Sequence, residues 1–161
     1  MKLYCVRHAQ AMMASEDHLR ELSLQGSTEA TQIGQFLAKA ECQVGHIIHS
    51  QARRTAMTAE IIGQALGCKN ISECSTGISP EDEVDDMVPV VDAWDEDTMI
   101  VTHLPFIARF VSRLLTGNAS KSRWNCPPCT VICLDRSHAG GSWSVEWMIT
   151  PSLVGVCPSD F

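Results

Sequence analysis

Met1-Lys2-Leu3-Tyr4-Cys5-Val6-Arg7-His8-Ala9 opens the chain, and its reading decides the rest. Leu3–Val6 is a continuous apolar run, the pattern of a short strand buried on both faces. It ends in an Arg–His pair. Two later blocks repeat this form. His46-Ile47-Ile48-His49 leads into Ser50-Gln51-Ala52-Arg53-Arg54, and Met99-Ile100-Val101 leads into Thr102-His103-Leu104-Pro105. A neutral histidine can attack a phosphorus atom, and the planar fork of an arginine can give two parallel hydrogen bonds to one phosphoryl group. Arg7-His8, Ser50 and His103 each fall at the C-terminal end of a strand, the edge at which open α/β sheets bind ligands. The order therefore predicts that Arg7, His8, Arg54 and His103 converge in one pocket.

Helical patterns separate these strands. Ser27–Lys39 has apolar Ile33, Phe36, Leu37 and Ala40 at helical spacing, with Ser27 as the expected N-cap. The polar stretch Ser15–Gln25 before it reads as loop with a short turn. A second helix is expected from Arg53 to about Ala65, stopped by Gly67. Residues 68–79 read as irregular, with a brief strand near Ile71. A third helix is expected over 81–93, where Val84, Met87, Val88, Val91 and Trp94 share a face, although Pro89 sits awkwardly inside it. Pro105–Leu115 is the fourth. Thr130–Leu134 and Ser142–Met148 read as two strands around a turn at Gly140-Gly141. This order predicts one α/β domain over residues 1–161, a three-layer sandwich. Its sheet is mostly parallel, with helices on both faces and an antiparallel C-terminal strand pair.

The net charge of −7 is concentrated. Residues 81–97 hold nine of the 19 acidic residues and no Lys or Arg, leaving ten acids against 12 bases elsewhere. The acidic stretch reads as a solvated outer helix face. No basic stripe suits nucleic acid, and no apolar run approaches a membrane span. Arg7 interrupts what would be the apolar region of a signal peptide, so a cytoplasmic location and eight free thiols are expected. Cys126-Pro127-Pro128-Cys129 reads as a proline turn leading into a strand. Two central prolines do not match a redox C-x-x-C, and a zinc set of Cys126, Cys129, Cys133 and His138 would need Cys133 turned out of its strand.

The Arg7-His8, Ser50-to-Thr58 and Thr102-to-Pro105 blocks, with Arg20-Glu21-Leu22-Ser23-Leu24-Gln25-Gly26, resemble the histidine phosphatase superfamily. Within it they are similar to the SixA-type phosphohistidine phosphatases. The resemblance implies the phosphoglycerate mutase-like fold. It also implies a protein substrate, either a histidine-containing phosphotransfer domain or a phosphocarrier protein. Three positions depart from the family pattern: Ala9 replaces the usual glycine, Gln51 the usual proline, and Gln10 stands where a carboxylate is common.

In this reading His8 is the nucleophile, passing through a phosphohistidine intermediate. Arg7, Arg54 and His103 hold the phosphoryl oxygens, and Arg20 adds a third cation. Arg54 is preferred over Arg53 because Ser50 and Thr58 bracket it. Neither cofactor nor metal is expected, since the guanidinium groups supply the charge. The proton donor is open among Glu16, Asp17 and His18, and Asp17 is preferred for its position three residues before Arg20. A phosphohistidine substrate suits so uncertain an acid, because imidazole leaves more readily than an alkoxide. Two other readings stand beside this one: a phosphatase for small phosphomonoesters, and a non-catalytic phosphate-binding or phosphoprotein-binding module.

Overall fold

β1 (Lys2–Arg7) lies inside the sheet because both of its edges are used. It pairs parallel with β4 (Thr98–Thr102) on one side and antiparallel with β5 (Val131–Asp135) on the other. The structure is a computed structural model and describes residues 1–155. β2 (His46–His49) pairs parallel with β4 and with β3 (Ile71–Glu73), and β6 (Ser144–Ile149) closes the other edge antiparallel to β5. The order is β3-β2-β4-β1-β5-β6.

Side chains of a strand alternate between faces, and this alternation builds two cores. Leu3 and Cys5 of β1 join Ile48, Ile100, Ile132 and Leu134 beneath α3 (Val84–Asp92) and α4 (Phe106–Thr116). Tyr4 and Val6 join Ile47, Met99, Val101 and Val131 beneath α1 (Leu24–Lys39) and α2 (Arg53–Leu66). A short α5 (Pro151–Val154) packs against α1. This is the expected three-layer α/β sandwich with its antiparallel C-terminal pair.

Local boundaries differ from the sequence reading at the starts of α1 and α3. α1 begins at Leu24, and its cap is Ser23, not Ser27: the Ser23 Oγ accepts from the Gly26 amide at 3.0 Å. Ser27 lies a turn further in, its own amide donating to the Ser23 carbonyl. α3 begins at Val84, not at residue 81, because Asp82 closes a turn onto the Ser79 amide at 2.7 Å. The helix passes through Pro89 because Pro89 and Asp85, whose carbonyl would face the missing N–H, are both on the solvent side. The acids at the start of α3 are exposed, and two of them make surface pairs. Glu83 pairs with Arg109 and Asp85 with Arg113, both on α4.

The seven described cysteines are free thiols, and Cys157 lies outside the described residues. Cys126 and Cys129 are split between the two cores, one on each side of the sheet. The segment between them is a turn, with Cys129 at φ 59°. Among the described residues, no helix is long and apolar enough to cross a membrane.

One buried cation escaped the sequence reading. Arg136, 1% exposed, follows β5 and reaches under the C-terminal end of α3. It donates to the carbonyls of Val91, Asp92 and Trp94, pairs with Asp92 at 3.2 Å, and stacks on Trp143. A guanidinium there satisfies the Asp92 and Trp94 carbonyls, shares the Val91 carbonyl with the Trp94 amide, and complements the negative end of the helix. Replacing Arg136 by Ala is expected to cost about 2–4 kcal/mol, mostly by orphaning these carbonyls. Chemical denaturation of the two proteins measures the difference, and a loss below about 0.5 kcal/mol contradicts the assignment.

Candidate active site

Strand register brings the candidate residues together. Arg7 is the register partner of Thr102, so His8 and His103 leave adjacent parallel strands side by side. The His8 amide donates to the Thr102 carbonyl at 2.9 Å, and the two imidazoles meet edge to face with centroids 5.2 Å apart. Ser50 leaves β2 beside them, its amide donating to the Val101 carbonyl. Arg54 sits in the first turn of α2. That turn carries two arginines and no acid, an unfavourable choice at the positive end of a helix. It concentrates positive potential at the sheet edge.

His8 is held in one tautomer. Its Nδ1 donates to the Ala9 carbonyl at 2.8 Å, leaving Nε2 with a lone pair that faces Arg54 Nε at 3.4 Å. Thr58 fixes this arrangement from α2, accepting from the Ala9 amide and donating to the Arg54 carbonyl. Burial pushes the His8 pKa down to about 4, and the nearby arginines act in the same direction. The ring is therefore neutral near pH 7.

His103 is also neutral, with its pKa pushed down to about 3 by burial and then by His8 and Arg54. Its Nε2 lies 2.5 Å from Ser50 Oγ, and its Nδ1 accepts from Arg54 Nη2 at 3.3 Å. Both ring nitrogens are thus engaged within the protein. Thr55, fully buried, holds Ser50 in turn at 2.8 Å. The sequence reading missed Thr55, since a threonine in a helix's first turn carries no signal of its own.

Arg54 is the hub. Only 5% exposed, it donates from Nε to His8 and from Nη2 to His103, and both Nη groups also bond to Asp17. Nη1 meets the Asp17 carbonyl at 2.7 Å, and Nη2 meets its carboxylate at 2.9 Å. Asp17 belongs to a 3-10 turn, Asp17–Leu19, carried on a loop whose ends are joined by the Ala11–Leu22 bridge. Asp17 does reach the site, but through Arg54 rather than by its spacing from Arg20. Hydrogen bonding from Arg54 lowers its pKa further, so it rests as a carboxylate. Glu16 and His18 are exposed and paired with each other. Arg20 is committed elsewhere, donating to the Met12 carbonyl and to Asp17 Oδ1, and so stands behind Asp17. Arg53 pairs with Glu21 on the surface.

Arg7 is anchored from the other side. Its Nη1 donates to the Cys126 carbonyl at 2.6 Å, which gives the proline turn a function in the site. Its buried Nε has no hydrogen-bond partner among the described residues. A cavity of about 500 Å³ lies elsewhere, lined by Lys2, Tyr4, Phe36, Asp97 and Trp147. It shares no residue with this cluster.

Residues 3–76 match the model of the histidine phosphatase superfamily, branch 1. That match covers 74 of the 161 residues, the segment that carries Arg7, His8 and Arg54. The chain is 21% identical over 156 residues to the phosphohistidine phosphatase SixA of Escherichia coli K12, covering 94% of each chain. Among solved structures, the protein histidine phosphatase SixA complexed with tungstate shares the fold, with TM-score 0.87 at 18% identity over 96% of this chain and 99% of that one. A phosphoserine phosphatase from Entamoeba histolytica, solved with 3-phosphoglyceric acid, has TM-score 0.68 at 14% identity, covering 92% and 96%.

The departures from the superfamily pattern have local explanations. Ala9 is fully buried, and both its amide and its carbonyl serve the site. Gln10 turns away, its side-chain oxygen accepting from Ser23 Oγ at 2.7 Å beside the cap of α1. Gly26 allows this contact, because a Cβ there would lie 2.1 Å from the Gln10 carbonyl. Gln51 is exposed.

The two depressed imidazoles make stability depend on pH in a fixed direction. The unfolded chain protonates its histidines near 6.5, whereas His8 does so only near 4. Stability is therefore full above about 6.5 and falls as pH drops from there toward 4. NMR titration should find the His8 ring neutral at pH 5.5. A His8 midpoint at or above 6.5 contradicts the burial argument.

Proposed function

We propose that this protein is a metal-independent phosphohistidine phosphatase that acts through a phosphorylated His8. The observation that carries the reading is a neutral His8 whose bare Nε2 faces a buried guanidinium. A phosphoryl group seated on Arg54 would lie in front of that lone pair. The unpartnered Nε of Arg7 would donate to a second oxygen. The incoming dianion would raise the pKa of His103, which could then take up a proton at Nδ1 and donate to a third oxygen.

In the first step His8 Nε2 would form a bond to phosphorus. The bond from phosphorus to the substrate ring breaks, and that ring, protonated from solvent at its other nitrogen, leaves as neutral imidazole with the electron pair on the departing nitrogen. In the second step water attacks the phosphorus and His8 Nε2 leaves with the electron pair of its bond to phosphorus, one proton of the water passing to solvent and the other staying on the released phosphate. Guanidinium groups would stabilise the charge that a divalent cation stabilises in other phosphoryl transfers. A fold relative has been solved with tungstate, a tetrahedral oxyanion.

Exposed apolar side chains favour a protein substrate over a small one. Met12, Met13 and Leu19 stand on the loop that carries Asp17, and Leu104 follows His103. Met13 is 86% exposed. A cationic cluster with exposed apolar side chains on the neighbouring loops fits a phosphohistidine displayed on a folded domain, such as a histidine-containing phosphotransfer domain or a phosphocarrier protein. A second reading, hydrolysis of small phosphomonoesters, gains from the contact of Asp17 with Arg54. That contact puts a carboxylate within reach of a bound phosphoryl group. At rest this carboxylate is ionised by Arg54, which is the wrong state for protonating an alkoxide.

Turnover of a phosphohistidine protein and of an aryl phosphate, both measured in EDTA, tests the reading. His8→Ala is expected to lower kcat/KM by about 10³-fold or more, and labelled substrate should leave an acid-labile, base-stable phosphate on His8. Efficient hydrolysis of alkyl esters, lost in Asp17→Asn, would move the assignment to the small-molecule enzyme. The exposed apolar side chains make a separate expectation. Met13→Asp combined with Leu19→Asp should raise KM for the protein substrate about tenfold, the effect of losing one or two buried apolar contacts. Its turnover of aryl phosphate should stay near wild type. Equal loss on both substrates would remove Met13 and Leu19 from substrate recognition.

A further inference from the structure

The donors that the proposed reaction needs most are already occupied by the protein. Arg54 engages four groups at once: His8 through Nε, His103 through Nη2, and the carbonyl and carboxylate of Asp17 through Nη1 and Nη2. A phosphoryl group gripped by both Nη groups needs the positions that the two Asp17 oxygens hold. Arg54 is buried and fixed in the first turn of α2, whereas Asp17 is 70% exposed on a loop. The side that can yield is Asp17.

Resting on the phosphatase reading, we infer that Asp17 is an internal latch on the phosphoryl seat, so that Arg54 binds either Asp17 or a phosphate oxyanion and not both. The turn Asp17–Leu19 moves with it, because the backbone carbonyl of Asp17 is part of the contact as well as its carboxylate. Arg20 strengthens the latched state by holding Asp17 Oδ1. The closing partner is a carboxylate at resting pH, as its depressed pKa requires.

The consequence is a discount on affinity. A ligand that binds only the unlatched state is weakened by the fraction of molecules unlatched. Free phosphate must displace Asp17 with the contacts of one small ion. A protein substrate has its own contacts with the exposed apolar side chains on the same loop and opens the latch with them. Asp17 in this role is a positioning residue that tempers product binding and favours the larger substrate. The reacting atoms are left to His8.

Calorimetric titration with inorganic phosphate tests the latch on the intact chain, using wild type, Asp17→Asn and Arg54→Ala. Asp17→Asn removes the competing charge and leaves the backbone carbonyl in place. It is expected to bind phosphate about three- to fivefold more tightly than wild type, as for loss of one partly exposed ion-pair competitor. Phosphate should inhibit its turnover at correspondingly lower concentration. Arg54→Ala should lose phosphate binding. If Arg54→Ala loses binding while Asp17→Asn binds no more tightly than wild type, the latch is wrong and the phosphate seat stands. If phosphate binds wild type and Arg54→Ala alike, or binds neither, the seat itself fails, and the proposed function with it. A drop in kcat for Asp17→Asn at unchanged phosphate affinity would make Asp17 a proton donor and overturn the latch.

Discussion

A buried guanidinium must find its hydrogen bonds within the protein, and Arg54 is the one around which this site is built. Its carbonyl is tied to Thr58, its Nε meets the His8 lone pair, and its Nη groups reach His103 and Asp17. Each partner is held in turn by a different element: His8 by the end of β1, His103 by β4 through Ser50 and Thr55, Asp17 by its own loop. Burial of the two rings lowers the pKa of both imidazoles, and the Arg54 cation adds to it. A neutral imidazole beside a buried guanidinium is the electrostatic outcome. It requires only that one arginine enter the sheet edge from the first turn of α2.

The same positive potential explains features that look costly in isolation. Two arginines at the start of a helix oppose its dipole. A donor on Arg7 is buried without a partner among the described residues. Local departures of this kind concentrate at functional sites, where the surrounding structure keeps them in place. Here the surroundings are the parallel ladder of β2, β4 and β1, which delivers Ser50, His103 and His8 to one edge in fixed register.

Arg136 makes a useful contrast. It is more deeply buried than Arg54, and it too gathers several acceptors around one guanidinium. Its partners are the last carbonyls of α3 and the carboxylate of Asp92, so its charge is spent on stability. Arg54 takes its carboxylate from an exposed loop instead, and under the proposed latch that contact is exchanged for a ligand. The two buried cations differ in what carries their anion, the end of a helix for Arg136 and a loop for Arg54.

Much of this was legible in the sequence. Alternation of apolar strands and amphipathic helices fixed the layers, because the two periodicities are local consequences of backbone geometry. The Arg7-His8, Arg54 and His103 positions were legible because each follows a strand, and strand ends in such sheets share an edge. Helix starts were read less well. Ser23 and Ser27 are both acceptable caps by residue type, and only the chain's path past Gln10 selects Ser23. The fate of Asp17, Arg20, Thr55 and Arg136 was not legible at all. Their partners are Arg54, Met12, Ser50 and the end of α3, the last some 44 residues away in the chain. No periodicity records such pairings, since they depend on which loops the folded sheet brings into contact. The sequence by itself determined the scaffold and the sheet edge at which Arg7, His8, Arg54 and His103 gather. The tertiary structure alone decided which anion Arg54 holds at rest, because that is set by the packing of one loop across the first turn of α2.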